Sequence, residues 1–496
     1  MSLQPLNHTN IVLIPKSAHP SSPLDFRSIS LCSVFYKIIS KTIANRLQKV
    51  LDSCIDPAQS AFVPGRLITD NVLLAYEILH TLRNKRVGKK GYMAFKIDMS
   101  KAYDRVEWGF LKQMMIKMGF DEEWVARIMH CITTFTYSVI LNGVLGMVFN
   151  PERGLRQGDP FSPLLFLICS EGLSTLLRLA AEEGKLKGIQ ASRRRPQISH
   201  LLFADDCILF EEATERGITT FEQILKEYEE CSGQCNNYGK STMFFSSNTL
   251  ETVRANLSDR LGVKRSNNCE NYLGLPTMVG QRKRGAFQHL KDSIKMRIDN
   301  WSTRLLSQGG KEVFIKAILQ AIPTYTMSCF LLPMSTCYEM EQLMANFWWQ
   351  KGKGKRGIHW CPWHKLCELK DEGGLGYRNL AKFNLALLTK QGWRLIDNLT
   401  SLLARTLKAK YYQNSDFLRS ELGNSPSYIW KSIWAAKGLL LSGLSWRVGN
   451  GSNIKIEEDT WVPNPIVCWS RKQTIGKMLL MYQTLSSIET EHGSRS

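Results

Sequence analysis

The phrase Phe203-Ala204-Asp205-Asp206 places two adjacent carboxylates between the apolar arms Leu201 to Phe203 and Cys207 to Phe210. Strand-like arms joined by a tight polar corner predict a β-hairpin whose tip carries charge. The corner Ala-Asp-Asp is not the Asn-Gly type that turning alone selects, so it serves something besides turning. Side-by-side carboxylates repel, and among apolar neighbours they take up protons unless a cation neutralises them. A divalent metal answers that need, although an isolated Asp pair at a hairpin tip is ordinarily a solvated turn. A third carboxylate is required.

The stretch Met93 to Asp98 supplies it. Period-2 alternation puts Met93, Phe95 and Ile97 on one face and Asp98 on the other, at the end of a predicted strand. Mg²⁺ takes a few carboxylates plus substrate phosphates and water, and phosphoryl transfer commonly employs two such ions. Asp98, Asp205 and Asp206 fit that requirement as catalytic and metal-binding residues. Asp98 and Asp205 are the principal ligands, because adjacent strand residues point to opposite sides and Asp206 contributes less directly.

Composition narrows the partners. Lys plus Arg number 64 against 44 Asp plus Glu, a formal charge of +20, which points to a polyanion. Basic runs at Asn84 to Lys90, Arg193 to Arg195, Gln281 to Arg284 and Lys351 to Arg356 lie in loop-like surroundings. Each alone is as readily a solvated surface or a localisation signal, so the summed charge carries the reading. Phosphate contacts of this kind are salt-dependent and weakly sequence-specific. Thirteen cysteines in irregular spacing form no disulfide framework and point to a reducing, intracellular compartment, nucleus or cytoplasm. His359, Cys361, His364 and Cys367 lack a matched Cys-x₂-Cys pair, so packing is preferred to zinc. The apolar stretch Leu164 to Cys169 is soon interrupted by Glu171, and the amino terminus has no basic segment followed by an apolar run, so no membrane or secretory role is indicated.

A chain of 496 residues is too long for one ordinary core, and two to four domains are expected. Apolar residues at Phe35, Ile39, Ile43, Leu47, Val50 and Leu51 predict a packed helix. Residues 107–131 and 163–182 also read as helices, whereas 92–98 and 200–210 read as strands, giving an α+β layer. After Tyr272 the pattern becomes helical, with Gly309-Gly310 as punctuation. Ten of the thirteen tryptophans fall at Trp348 or later, and Leu385, Leu388, Gly392 and Leu395 make a helical stripe, which predicts a separate helical unit with mostly buried tryptophans.

Seven phrases occur in order: Ile14-Pro15-Lys16; Asp25-Phe26-Arg27-Ser28-Ile29-Ser30-Leu31-Cys32; Gln59-Ser60-Ala61-Phe62-Val63-Pro64-Gly65-Arg66; Asp98-Met99-Ser100-Lys101-Ala102-Tyr103-Asp104; Gly154-Leu155-Arg156-Gln157-Gly158-Asp159-Pro160; the Ala-Asp-Asp hairpin; and Tyr272-Leu273-Gly274-Leu275-Pro276. Through them the chain resembles the reverse transcriptase of plant LINE-type non-LTR retrotransposons, from about residue 10 to about residue 465. The resemblance implies a right-hand polymerase architecture of fingers, palm and helical thumb with a mainly helical carboxyl-terminal region. Its expected boundaries are fingers and palm over 1–275, thumb over 276–335, the Trp-rich region over 336–465 and a divergent tail over 466–496. It also implies an RNA-directed DNA polymerase that takes an RNA template, a DNA primer and dNTPs and uses two Mg²⁺ ions, with Mn²⁺ the other candidate. Lys16 and Arg27 match basic fingers positions that grip the triphosphate, Arg being suited to a forked phosphate contact. Tyr103 matches an aromatic ring beneath the sugar, where it would clash with a 2′-hydroxyl; otherwise it is a core aromatic. Gln157 and Gly158 match the loop that meets the nascent base pair, and Lys240 a palm lysine near the pyrophosphate. Tyr272, Leu273 and Gly274 match the primer grip.

The chain departs from the family at Ser28, where proline is usual, and at Asn236-Asn237, a place more often apolar. It begins inside the fingers, and neither the endonuclease nor a ribonuclease H segment of complete elements is expected in it, so it does not complete a retrotransposition cycle alone. Two other readings stand beside the polymerase. One is a decayed remnant that binds nucleic acid through its charge and catalyses nothing. The other, a mitochondrial intron maturase, is disfavoured by the phrase from Asp98 to Trp108 and by the Trp-rich tail. No oligomeric state follows from the residues.

Overall fold

In the computed structural model, residues 7–190, 196–266, 271–280, 283–300, 306–350 and 357–444 are described. The basic runs at 193–195, 281–282 and 351–356, and the tail, lie outside the described residues.

The amino-terminal half comprises β1 (His8–Pro15), β2 (Phe26–Cys32), α1 (Val34–Leu47), α2 (Leu51–Cys54), α3 (Ile68–Asn84), β3 (Tyr92–Ile97), α4 (Trp108–Lys117), α5 (Glu122–Thr133), β4 (Thr136–Leu141), β5 (Val144–Leu145), α6 (Ser162–Glu182), β6 (His200–Phe203), β7 (Asp206–Glu212), α7 (Glu215–Ser232), β8 (Thr242–Phe245), α8 (Glu251–Leu261) and β9 (Lys264–Arg265). One sheet has the order β2-β1-β4-β5 and the other β6-β7-β3-β8-β9. In the second, β3 lies between two antiparallel partners, with Ile97 opposite Cys207 and Lys96 opposite Thr242. As a central strand, β3 buries its apolar residues on both faces and leaves Lys96 only partly buried. Met93, Ala94, Phe95 and Ile97 are accordingly all buried.

Helix α6 fills the core behind this sheet, packed by α4 and α7. By length and composition it could cross a membrane, but 72% of its most apolar stretch is buried inside the protein. The reading of 107–131 as one helix gives way to two. Gly119, at φ +85, ends α4, and the Asp121 side chain accepts from Trp124 N–H to start α5. Helix α1 forms with Leu47 buried and Ile43 packed on the core as periodicity suggests, but its buried stripe is rotated toward Tyr36. Tyr36, Ser40, Ala44 and Leu47 are its buried residues, and Phe35 stays 68% exposed. The reason is polar: the Tyr36 hydroxyl donates to buried Asp159 at 2.9 Å, which sets the rotation of the helix.

The carboxyl-terminal half is helical: α9 (Lys283–Ala286), α10 (Gln288–Asn300), α11 (Gln308–Phe314) running on as a π-helical turn (Ile315–Leu319), α12 (Thr324–Met327), α13 (Met334–Trp349), α14 (Trp363–Leu366), α15 (Leu380–Asp397), α16 (Leu402–Tyr411), α17 (Tyr428–Ala435) and α18 (Lys437–Gly443). Gly309 and Gly310 lie within the first turn of α11, which Ser307 caps. Residues up to Ala435 form one compact unit, and those from Ala436 a second. The Trp-rich helices up to α17 therefore do not stand apart from the palm. Both α16 and α17 pack on α3. There the Glu77 carboxylate, with no exposed side-chain surface, accepts from Lys410 Nζ at 2.9 Å, from the Tyr411 hydroxyl at 2.9 Å, and from the Ser427 hydroxyl. Trp430 is fully buried and stacked on Tyr411, Trp348 and Trp363 are buried, and Trp360 and Trp393 are exposed.

Candidate active site

The hairpin forms where the carboxylates predict it. Phe203 pairs with Asp206, so Ala204 and Asp205 are the corner. Ala204 takes a left-handed φ of +53, a conformation that costs a residue with a Cβ roughly 1 kcal/mol. Its amide donates to buried Gln59 Oε1 at 3.1 Å. The Gln59 segment runs beside β6: Ser60 N–H donates to Leu202 O at 3.1 Å, and Leu202 N–H to Ala58 O at 3.0 Å. From α3, buried Asn71 donates to the same Leu202 carbonyl at 2.7 Å and accepts from the Tyr272 hydroxyl at 3.0 Å.

Asp98 follows the last paired residue of β3. Since Ile97 faces Cys207, the next cross-strand step brings Asp98 to the level of Asp206, beside the hairpin tip. The carboxylates feel one another. Partial burial, then the charge of Asp98, pushes the Asp205 pKa up. Burial, then Asp205, pushes Asp206 up, with Lys96 opposing and Asp98 adding a smaller push. The environments differ: Asp205 lies within electrostatic reach of Tyr103, and Asp206 within reach of Tyr272 and Tyr325.

Tyr103 opens a short 3₁₀ turn after Asp98 and stacks on Phe166 of α6, ring centroids 4.9 Å apart. Its backbone carbonyl accepts from Leu155 N–H at 2.8 Å, which ties it to the Gly154 to Pro160 loop. Close approach fixes the glycines there. A Cβ on Gly154 (φ +91) would lie 2.7 Å from Asp104 O, and one on Gly158 (φ +110) 3.1 Å from Ser30 O. Gln157 and Gly158 are exposed, while the flanking Arg156 and Asp159 are buried as an ion pair at 3.0 Å. Arg156 also donates to Asn7 Oδ1 at 2.7 Å and Thr9 Oγ1 at 3.2 Å, and lies 3.8 Å over the Tyr36 ring. Gln157 O accepts from Ser30 N–H at 2.8 Å, so the loop is fastened to the first sheet on both flanks.

Lys16 and Arg27 are exposed near the turn of the β1–β2 hairpin, and neither forms an ion pair with a described residue. The charge of Lys16 reaches Asp104, which places it on the Tyr103 side of the site. Lys240 is exposed on the loop bonded to the Asp98 backbone. In that loop Asn237 N–H donates to Asp98 O at 2.8 Å and the Ser241 hydroxyl accepts from Asp98 N–H at 3.1 Å. Asn236, next to it, bonds through its own N–H to Glu229. Tyr272, Leu273 and Gly274 form a tight turn, Tyr272 bridging to Leu275, with Leu273 at φ +49. The Tyr325 hydroxyl of α12 donates to Leu273 O at 3.0 Å, and Lys96 Nζ to Asn271 O at 3.0 Å. The sequence reading did not assign Gln59, Asn71, Arg156 or Tyr325 to the site; all are positioned by contacts 50 or more residues away in sequence.

Among the described residues no three His, Cys, Asp or Glu side chains converge closely enough to enclose a metal ion between them. Asp98, Asp205 and Asp206 form no ion pair with a described residue, and their donors are carboxylate oxygens only. Such a set fits a hard divalent cation of the Mg²⁺ type, which binds through one or two carboxylates and completes its shell with substrate phosphates and water. His359 packs beside Trp349, and burial pushes the Cys367 thiol up to about 12.

Residues 14–276 match the family described as reverse transcriptase (RNA-dependent DNA polymerase). The chain belongs to the reverse transcriptase family. That family is metal-dependent, and the relatives place the chain with the non-LTR retrotransposons. An uncharacterized mitochondrial protein of Arabidopsis thaliana is 42% identical over 143 residues, 29% of this chain and 93% of the relative. The retrovirus-related Pol polyprotein from type-1 retrotransposable element R2 of Nasonia vitripennis is 31% identical over 204 residues, 41% of this chain and 19% of the relative. Among solved structures, a Candida tropicalis telomerase in complex with a fragment of telomeric RNA is similar at 14% identity and a TM-score of 0.41, covering 82% of this chain and 64% of that one. The chain spans under a third of the length of the longer curated relatives it matches.

Proposed function

We propose that this reverse transcriptase chain extends a DNA primer on an RNA template by metal-dependent nucleotidyl transfer. What supports the proposal is the strand register that brings Asp98 level with the hairpin carrying Asp205 and within its electrostatic reach, on the side where Tyr103 lies. In the reaction the primer 3′-oxygen forms a bond to the α-phosphorus of the dNTP, the bond to the pyrophosphate breaks, and the hydroxyl proton is released. Bound Mg²⁺, two ions in this reading with Mn²⁺ the other candidate, would supply charge neutralisation and orientation. Asp98, Asp205 and Asp206 would hold it. Lys16, Arg27 and Lys240 offer cationic donors to the triphosphate, and Gln157 and Gly158 present an exposed loop to the nascent pair. The Tyr103 ring, held flat on Phe166, would exclude a 2′-hydroxyl. Tyr272, Leu273 and Gly274 would steady the primer end, with residues 1–275 serving as fingers and palm, 276–335 as thumb and 336–465 as the Trp-rich carboxyl-terminal region. We place this activity inside the cell, in nucleus or cytoplasm, on the strength of eleven free cysteines among the described residues.

The test is primer extension on an RNA template with Mg²⁺ by the full chain and by Asp205→Ala and Asp98→Ala. Incorporation of dNTPs by the parent and its loss in both variants is expected. No incorporation by the parent chain refutes the proposal and favours a nucleic-acid-binding remnant.

A further inference from the structure

The strained corner of the carboxylate hairpin is held by a side chain from elsewhere in the chain. Gln59 is 1% exposed, and its Oε1 accepts two backbone N–H bonds, from Ala61 at 3.0 Å and from Ala204 at 3.1 Å. The first fixes the amide's orientation within its own loop, and the second reaches the left-handed residue, at φ +53, that immediately precedes Asp205. Gln59 is itself anchored. Arg66 donates to the carbonyls of Ile55 at 2.9 Å, Asp56 at 2.6 Å and Gln59 at 2.7 Å, and pairs with Asp52 at 2.9 Å. One guanidinium thus closes the loop over its own backbone and presents Gln59 to the hairpin.

The sign of the effect follows from the corner residue. Alanine disfavours left-handed backbone, and such a conformation persists only where surroundings over-determine it. A buried N–H without an acceptor is costly, so the Gln59 oxygen rewards the conformation that aims Ala204 N–H inward.

We propose that Gln59 is a positioning residue for nucleotidyl transfer, holding Ala204 in its left-handed turn so that Asp205 faces Asp98. The inference rests on the polymerase reading for its kinetic consequence, but the contact has a readout of its own. Hydrogen exchange on the full chain should show the Ala204 amide protected, deprotected in Gln59→Met, which keeps the volume and removes the acceptor, and still protected in Gln59→Glu, which keeps an acceptor oxygen. In primer extension Gln59→Met should lower kcat roughly 10- to 100-fold, with the dNTP KM changed less than about threefold. Ala204→Gly in the Gln59→Met background removes the Cβ that opposes the turn and should restore kcat several-fold. Unchanged Ala204 protection in Gln59→Met overturns the proposal, as does wild-type kcat in that variant. It is also overturned if kcat falls together with melting temperature and Ala204→Gly restores nothing, since that pattern belongs to a core residue. Absence of extension by the parent chain counts against the polymerase reading alone, and the exchange result then decides the Gln59 contact.

Discussion

Glu77 offers a direct measure of how firmly the carboxyl-terminal helices are bound to the palm. Its side chain is fully buried on α3 and accepts from three groups brought from 333 or more residues away, Lys410, Tyr411 and Ser427. Glu77→Leu leaves the Lys410 ammonium, 15% exposed, without its counter-ion, and breaking a buried pair from one side costs about 3–5 kcal/mol. The hydroxyls fare better. Tyr411 still accepts from Ser427 N–H at 3.2 Å, and the Ser427 oxygen from Trp430 N–H at 2.9 Å. Adding Lys410→Met removes the stranded charge and leaves two hydroxyls each short of one acceptor, so the double variant should cost only about 1–2 kcal/mol. Local opening free energies from amide exchange in α16 and α17 measure both. A double variant as unstable as the single, or a single costing under about 1 kcal/mol, would show that α16 and α17 are held by apolar packing and that the carboxylate is incidental.

Four further outcomes follow from the geometry. Asp205→Asn should abolish extension yet raise the melting temperature of the metal-free chain, because it removes one of the like charges gathered at the hairpin; an unchanged or lower melting temperature would contradict the crowding inferred from the upward pKa shifts. Glu171 is pushed up to about 7, first by burial, and a carboxyl raised above its unfolded value of about 4.3 contributes stability that is present at low pH and lost as pH rises through the folded value. Glu171→Gln should therefore flatten the fall in stability between about pH 4 and pH 7, read from urea midpoints, and an unaltered slope would refute this. Tyr103→Val should raise ribonucleotide incorporation relative to deoxynucleotide by about tenfold or more, measured as a kcat/KM ratio; an unchanged ratio would leave Tyr103 as a core aromatic. Gly154→Ala should destabilise the chain by about 1–3 kcal/mol, since its φ of +91 and the Asp104 carbonyl at 2.7 Å oppose a Cβ, and a neutral result in denaturant melts would mean the loop can move aside.

Local pattern made the carboxylate-bearing strands readable. Alternation ends β3 just before Asp98, and the apolar arms around Asp205 leave little choice but a hairpin. What pattern could not show was polar and distant. Asn71 and Glu77 sit on a helix whose surroundings are leucine-rich, and nothing nearby tells that Leu202 O or Lys410 will meet them. The same limit misled the reading of α1. Periodicity favoured Phe35, whereas a single bond from Tyr36 to Asp159, 123 residues on, decided which side turned inward. Nothing around Arg156 in the sequence marks it for the interior, and its burial depends on partners contributed by residues 7 and 9.

That last contact sets a clock on synthesis. Asn7 and Thr9 leave the ribosome roughly 150 residues ahead of the guanidinium they bind, and β1 must also await the parallel edge of β4. At about 5–20 residues per second this is a delay of roughly 7–30 s. Through that interval β1 has its hairpin partner β2 but neither β4 nor the Arg156 guanidinium, so the parallel edge of this sheet is the one that closes late.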